Sequence, residues 1–239
     1  MPTTATESPA PGIVVFDVNG TLSDLSGLSR RLEQLGGRGE LIGAMFTATL
    51  RDGFALTASG ALADFADIAV PTLAAMLEGS DGLTLGAQTA AELVVAGMSE
   101  LDLHPDIGPG MRQLAQAGVR ILTLSNGAAR VAESLLERAG LRDLVERCLS
   151  VSDAGHWKPD PRAYAYALER AGAKPHDVAL VAVHPWDIDG ARRAGLRTGW
   201  ISRDARPYPP FFLPPDTTGR GLDELAAAWT TTPPPADGA

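Results

Sequence analysis

The sequence predicts an α/β fold: a Rossmann-like core of parallel strands with a four-helix-type cap inserted into it. Three observations lead there. Apolar runs without polar interruption, Ile13–Phe16, Val119–Leu124 and Val178–Val183, suit strands buried on both faces, as at the centre of a parallel sheet. After residue 104 such runs alternate with amphipathic stretches, the rhythm of strand–helix–strand crossovers. Between 25 and 104 apolar residues fall at spacings of three and four with no strand-like run, which reads as a helical unit set into the core.

Ile13–Asp24, IVVFDVNGTLSD, is the stretch the rest is organised around. Its strand runs into Asp17, and Gly20 and Thr21 follow with a turn and a hydroxyl. A carboxylate at the C-terminal end of such a strand lies at the crevice where open α/β sheets bind ligands. Helical segments follow at Leu28–Leu35, Leu41–Gly53, Ala61–Glu78 and Thr84–Leu101, separated by breaks at Gly36-Gly37, Thr57–Gly60 and Gly79–Gly82. A cap placed directly after a candidate nucleophile is a lid that excludes water. Leu103–Gly110 is the return linker. Then come a helix at Met111–Gly118, the strand Val119–Leu124, a helix at Ala128–Ala139, a strand at Val145–Val151 and a helix at Asp160–Ala171 opened by Lys158-Pro159. The strand Val178–Val183, a helix at Ile188–Ala194 and a last strand at Gly199–Ser202 complete the pattern. The chain therefore divides into a disordered lead-in (1–11), an α/β core (12–24 and 105–229), a helical cap (25–104) and a disordered tail (230–239).

Composition narrows the function classes. With 45% apolar and 21% charged residues the chain is ordinary for a globular protein, and no apolar run reaches the ~18 residues that cross a bilayer. The single cysteine, Cys148, excludes an intrachain disulfide and a cysteine metal cluster, and no secretion signal is visible, so a cytoplasmic setting is expected. A net charge of −9 argues against nucleic acid or an anionic membrane as partner.

Four loops then face one crevice. They carry Asp17 and Thr21; Ser125 and Asn126; Lys158; and His184 and Asp187. Singly each is an ordinary turn or helix cap. Together, in this order and at the ends of apolar strands, they mark one site.

In this arrangement the chain resembles the haloacid dehalogenase superfamily over nearly its whole length. Asp17–Leu22 resembles its first motif, Ser125-Asn126-Gly127 its second, Lys158-Pro159 its third and Asp187–Ala191 its fourth. Within the superfamily it is most similar to the L-2-haloacid dehalogenases, through Leu124–Gly127, Tyr164 six residues after Lys158, and the pair Trp186-Asp187. It departs from them where a tyrosine is replaced by Asn19, a serine by Ala182 and an asparagine by His184, changes that bear on the halide and chain length accepted. The magnesium-dependent phosphatases of the superfamily are the rival reading. Their general acid would fall on Asn19, an amide that cannot deliver a proton, and their second fourth-motif carboxylate on Val183, which leaves a poor metal site. A non-catalytic module that binds a small acid is the second alternative.

The resemblance implies hydrolysis of short 2-haloalkanoic acids to 2-hydroxy acids through an ester on Asp17, with no metal or other cofactor. It implies catalytic roles for Asp17, Lys158, Asp187, Arg51, Thr21, Ser125 and His184, and substrate contacts from Val18, Asn19, Asn126, Tyr164 and Trp186. Arg51, with Asn126, is expected to cradle the departing halide, and Asp187 or His184 to activate water. The blander readings are Arg51 as a surface partner of Asp52 or Glu40, His184 as a hydrogen-bonded strand-end residue, and Tyr164 as simple core. A small anionic 2-halo acid is the implied partner and a homodimer the implied assembly.

Overall fold

The computed structural model describes residues 10–230; the predicted lead-in and tail lie largely outside them. Within those residues one six-stranded sheet has the order β3-β2-β1-β4-β5-β6. The strands are β1 (Ile13–Phe16), β2 (Arg120–Ser125), β3 (Arg147–Ser150), β4 (Val178–Ala182), β5 (Arg197–Ile201) and β6 (Thr217–Gly219). Every pairing is parallel. β1 is central: each of its residues pairs on one side with Arg120–Thr123 and on the other with Val178–Val181, and all four side chains are buried. A strand enclosed on both faces and both edges must be apolar throughout, which is why IVVF reads so plainly.

The helices are α1 (Ser26–Gln34), α2 (Leu41–Ala58), α3 (Phe65–Leu77) and α4 (Ala87–Ala96) between β1 and β2, then α5 (Ile107–Gln116), α6 (Ala129–Arg138), α7 (Val151–Ala154), α8 (Pro161–Ala171), α9 (Pro185–Arg193) and α10 (Leu222–Thr230). The four helices between the first two strands in sequence form the helical insertion, a cap over the C-terminal edge of the sheet.

Several boundaries differ from those expected, for identifiable reasons. The stretch Leu103–Gly110, read as linker, already contains the first turn of α5, whose buried face is Ile107, Gly110, Met111 and Leu114. Gly110 there is a packing residue, since a Cβ would come within 2.5 Å of Leu222 on α10. α2 continues through Thr57 and Ala58 before turning at Gly60, which takes a positive φ of 80°. The strand expected over Val145–Val151 is shorter, and Val151 opens α7. β6 and α10 had no counterpart in the reading of the sequence, and Thr230, assigned to the tail, ends α10.

Cap and core meet at Trp157, in the loop between α7 and α8. Its main-chain N–H donates to Thr57 Oγ1 (3.2 Å) and its indole N–H to the Ala63 carbonyl (3.1 Å). Phe65 stacks on its ring with centroids 6.0 Å apart, and Gly53 lets α2 lie directly on it, since a Cβ there would fall 2.4 Å from the indole. The lid is therefore seated on the same loop that carries Lys158. No helix among the described residues is long and apolar enough to cross a membrane.

Candidate active site

The site is assembled at the C-terminal edge of the sheet from the ends of four neighbouring strands and the segments that follow them, with Ser125 closing β2 and Lys158 in the loop after α7. Asp17 is the first residue beyond β1, and its N–H extends the ladder by donating to Val181 (3.0 Å). Its carboxylate is thus fixed at the C-terminal edge of the sheet. Thr21 returns on the following turn, donates to Asp17 Oδ2 (2.6 Å) and accepts from the Val183 N–H (3.1 Å). Arg203 supports this turn from behind by donating to the Thr21 carbonyl (3.0 Å) while paired with Asp106 (2.9 Å).

Lys158 stands at the centre, with no exposure. Its ammonium donates to Asp17 Oδ1 (2.9 Å) and Asp187 Oδ2 (2.6 Å). Asp187, in the first turn of α9, is equally buried and receives a second hydrogen bond from the Tyr164 hydroxyl at Oδ1 (2.7 Å). All four carboxylate oxygens of the two aspartates therefore have a donor from this chain. Such a set is tolerable out of water only because it is so completely paired.

The two carboxylates differ in their titration. For Asp17 burial works upward, but the Lys158 and His184 charges and the Thr21 hydrogen bond prevail and hold it below the ordinary value of 3.8. For Asp187 burial prevails: reinforced by the neighbouring Asp17 charge, it lifts the group above 3.8 against the opposing pull of Lys158 and Tyr164. Burial works to lower the Lys158 ammonium, yet the two carboxylates raise it, so it keeps its proton. Burial, and then the Asp187 charge, push the Tyr164 phenol well up. Two acids sharing one lysine are thereby separated into a firm anion and a better proton acceptor.

The remaining expected residues fall into two groups. Ser125 Oγ accepts from the Gly127 N–H (2.9 Å), so its own hydroxyl hydrogen is not used in that bond. His184 caps α9. Its Nε2 is 2.9 Å from the Asn19 carbonyl and 3.5 Å from Asp17 Oδ2, and its ring lies between Phe46 (5.9 Å) and Trp186 (5.1 Å). Val18 is fully buried, and Asn19 is 5% exposed on the turn beside Asp17.

Three expectations need correction. Arg51 turns outward: its side chain is 72% exposed, and it pairs with Asp52 (2.7 Å) at the rim of a cavity of about 630 Å³. Asn126 is engaged with the main chain of Lys158, accepting from its N–H (3.0 Å) and donating to its carbonyl (3.1 Å), so it holds the lysine loop rather than a halide. Tyr164 is completely buried behind Asp187 and positions that carboxylate. What sequence reasoning missed is the cap's aromatic wall. Phe46 and Phe65 approach each other (5.8 Å) opposite His184 and Trp157, and Phe54 meets Trp186 edge-on (5.0 Å). The visible signal was their recurrence on apolar helical stretches, but that pattern also describes core.

Taken together, a parallel sheet whose C-terminal edge holds a sequestered aspartate–lysine–aspartate set, covered by a helical cap, describes a capped α/β enzyme built on a buried carboxylate. The particular family follows from comparison. The profile of the haloacid dehalogenase-like hydrolases matches residues 12–195, and the chain belongs to that family. The chain is 29% identical over 218 residues to (S)-2-haloacid dehalogenase 4A of Burkholderia cepacia, covering 88% of this chain and 91% of the relative. It is 31% identical over 213 residues to (S)-2-haloacid dehalogenase 1 of Pseudomonas sp. (strain CBS-3), covering 88% and 93%. Its fold matches the L-2-haloacid dehalogenase from Xanthobacter autotrophicus with chloropropionic acid covalently bound, at a TM-score of 0.78 and 25% identity over 90% of this chain and 97% of the other.

Proposed function

We propose that this protein hydrolyses short 2-haloalkanoic acids to 2-hydroxy acids through an aspartyl ester on Asp17, without a metal. The observation that carries the reading is the fully paired Asp17–Lys158–Asp187 set beside a position, Asn19, that supplies no acid. Asp17 is dry, anionic and fixed, so it attacks the substrate Cα in an effectively unimolecular step. A halide leaves as a stable anion and requires no proton, so an amide at position 19 suffices. A phosphate ester leaves as an alkoxide and would require one.

The substrate carboxylate is held by the Ser125 hydroxyl and the main-chain N–H groups of the Val18–Asn19 turn. The halide departs towards the ring edges of Phe46 and Phe65, which carry partial positive charge, with His184 and Trp186 closing that side. Water then attacks the ester carbonyl of Asp17, Asp187 accepts its proton, and as the acyl C–O bond breaks the same proton passes from Asp187 to the departing oxygen of the 2-hydroxy acid. The raised pKa of Asp187 suits it to that task, and Tyr164 and Lys158 aim it. Displacement inverts Cα and ester hydrolysis leaves it untouched, so an L-substrate gives a D-2-hydroxy acid. Metal independence is supported by the donor set. Lys158 already bridges the two aspartates, Val183 offers no third carboxylate, and no group of three metal-ligating side chains occurs among the described residues. A cytoplasmic setting belongs to the same reading. It is supported by the lone Cys148, which leaves the chain without an intrachain disulfide.

The test is halide release from L- and D-2-chloropropionate and chloroacetate in the presence of EDTA, with wild type and Asp17→Asn. Release that survives EDTA and vanishes in the variant is the expected result. No release, together with magnesium-dependent cleavage of p-nitrophenyl phosphate, would replace the reading with the phosphatase one.

A further inference from the structure

The nucleophile is aimed by a hydroxyl, and the hydroxyl itself needs aiming. A threonine O–H turns freely about its C–O bond and can donate in several directions. Here Thr21 Oγ1 accepts from the Val183 N–H (3.1 Å), which leaves its own hydrogen for Asp17 Oδ2 (2.6 Å). The main chain at Thr21 and at Val183 must therefore hold still. Each is tied from one short segment at the end of β5. Trp200 donates its indole N–H to the Val183 carbonyl (3.0 Å), and Arg203 donates from Nη2 to the Thr21 carbonyl (3.0 Å).

Arg203 is anchored in its turn. Its Nη2 reaches both oxygens of Asp106 (2.9 and 3.1 Å), and its Nε reaches one of them (3.3 Å). Asp106, which precedes α5, also accepts from the Leu222 N–H (2.8 Å) at the start of α10. A planar guanidinium shared between a carboxylate and a carbonyl fixes direction in a way that a rotating ammonium does not. The arrangement has a cost. Arg203 Nη1 is buried and has no hydrogen-bond partner among the described residues, and an unpaired buried donor asks for an account of the residue beyond stability.

We propose that Arg203 is a positioning residue for ester formation: it touches neither substrate nor Asp17, and it holds the Thr21 turn so that the hydroxyl keeps the Asp17 carboxylate at its angle of attack. The inference rests on the dehalogenation reading and adds to that site a residue just past β5, two strands away from β1 in the sheet. Displacement at Cα is sensitive to geometry, and about an ångström of misplacement costs about 100-fold in rate. Without the tie the turn relaxes and the hydroxyl leaves Oδ2. Ser125 stands on β2 and is untouched, so the rate falls more than the affinity.

The experiment is a double-mutant cycle of Arg203→Met with Thr21→Val on L-2-chloropropionate. Its readout is halide release in a single turnover at saturating enzyme, which reports ester formation alone. Arg203→Met is expected to slow that step about 30-fold while the half-saturating enzyme concentration stays within about threefold. In the Thr21→Val background the same substitution costs less than about threefold, because the hydroxyl it acts through is gone. Arg203→Lys keeps the ion pair with Asp106, and with it the fold, but lacks the fork. It is expected to be about fivefold slower than wild type, again with no further loss in the Thr21→Val background. Carbon-13 NMR titration of Asp17 reads the coupling without turnover. The Thr21 hydrogen bond is one of the influences holding Asp17 below 3.8. Asp17 should therefore titrate about half a pH unit or more higher in Arg203→Met, and the rise should vanish in the Thr21→Val background. Losses that multiply across the cycle, as a purely structural role would give, or an Asp17 titration that ignores Arg203, would overturn the proposal. Absence of halide release by wild type would overturn the reaction instead, and the NMR cycle would still decide whether Arg203 acts on Asp17 through Thr21.

Discussion

The two walls of the crevice are built on opposite principles. On the core side every ionisable oxygen is partnered: Lys158 bridges Asp17 and Asp187, and Thr21 and Tyr164 complete them. The cap side meets the core through aromatic rings, Phe46 against His184 and Phe65 against Trp157, while the exposed Arg51 is paired with Asp52. The difference separates two tasks. Charges that do chemistry must be held by rigid strand ends, where a displacement of about an ångström costs rate. A lid has to keep out water and shape the substrate space, and apolar rings do both without needing exact partners.

The comparison breaks most visibly at Lys158. Lys158→Met leaves two buried carboxylates facing each other without their shared cation, and removing one partner of such a set typically costs about 3–5 kcal/mol. Halide release should fall by about 10⁴-fold or more and the melting temperature should drop, both measurable on the purified variant. Retained activity would mean the core wall is not the catalytic one.

Tyr164→Phe is the finer test of that wall. Its hydroxyl hydrogen bond pulls the Asp187 pKa down, so its loss raises Asp187 further. In the intermediate Asp17 is esterified and does not titrate, so Asp187 is the carboxylate of the set that protonates as pH falls. The acid limb of the kcat profile therefore reports Asp187, and in Tyr164→Phe it should move to higher pH with kcat lowered about tenfold. An unmoved limb would reassign the proton acceptor, with His184 next in line.

Arg51→Ala should do least. Because the guanidinium is mostly exposed and paired with its neighbour, chloroacetate kcat/KM is expected to change by less than about threefold. Steady-state kinetics at low and high salt check this, and a loss beyond a hundredfold would show that Arg51 swings inward to take the halide.

This contrast also explains what could be read from the sequence. Asp17, Ser125 and Asp187 were legible because they stand at or just past the ends of apolar strands, which parallel pairing forces to one edge, and Lys158 because of its position between a strand and the next helix in that order. The cap contacts were not legible. α2 buries Ile42, Met45, Phe46, Thr49, Gly53 and Thr57, a face interleaved with further apolar residues at Leu50 and Phe54. Periodicity there could not tell that Phe46 faces the site while Arg51, five residues on, faces water. Asn126 and Tyr164 were recognised as belonging to the site, but their partners, the Lys158 main chain and Asp187, are set by loop geometry that spacing does not encode. α10 had no counterpart although Leu222, Leu225, Ala226 and Trp229 carry helical spacing, because the proline-rich stretch before it interrupts the strand–helix alternation that marks the other elements.

The central claim is that the substrate is bonded to Asp17 and that water attacks the protein rather than the substrate. A single turnover of L-2-chloropropionate by excess enzyme in water labelled with oxygen-18 tests it directly, by mass spectrometry of the product and of the peptide containing Asp17. The label is predicted in the Asp17 carboxylate, with the first-turnover lactate unlabelled. Label in the lactate of the first turnover, with Asp17 unlabelled, would contradict the account.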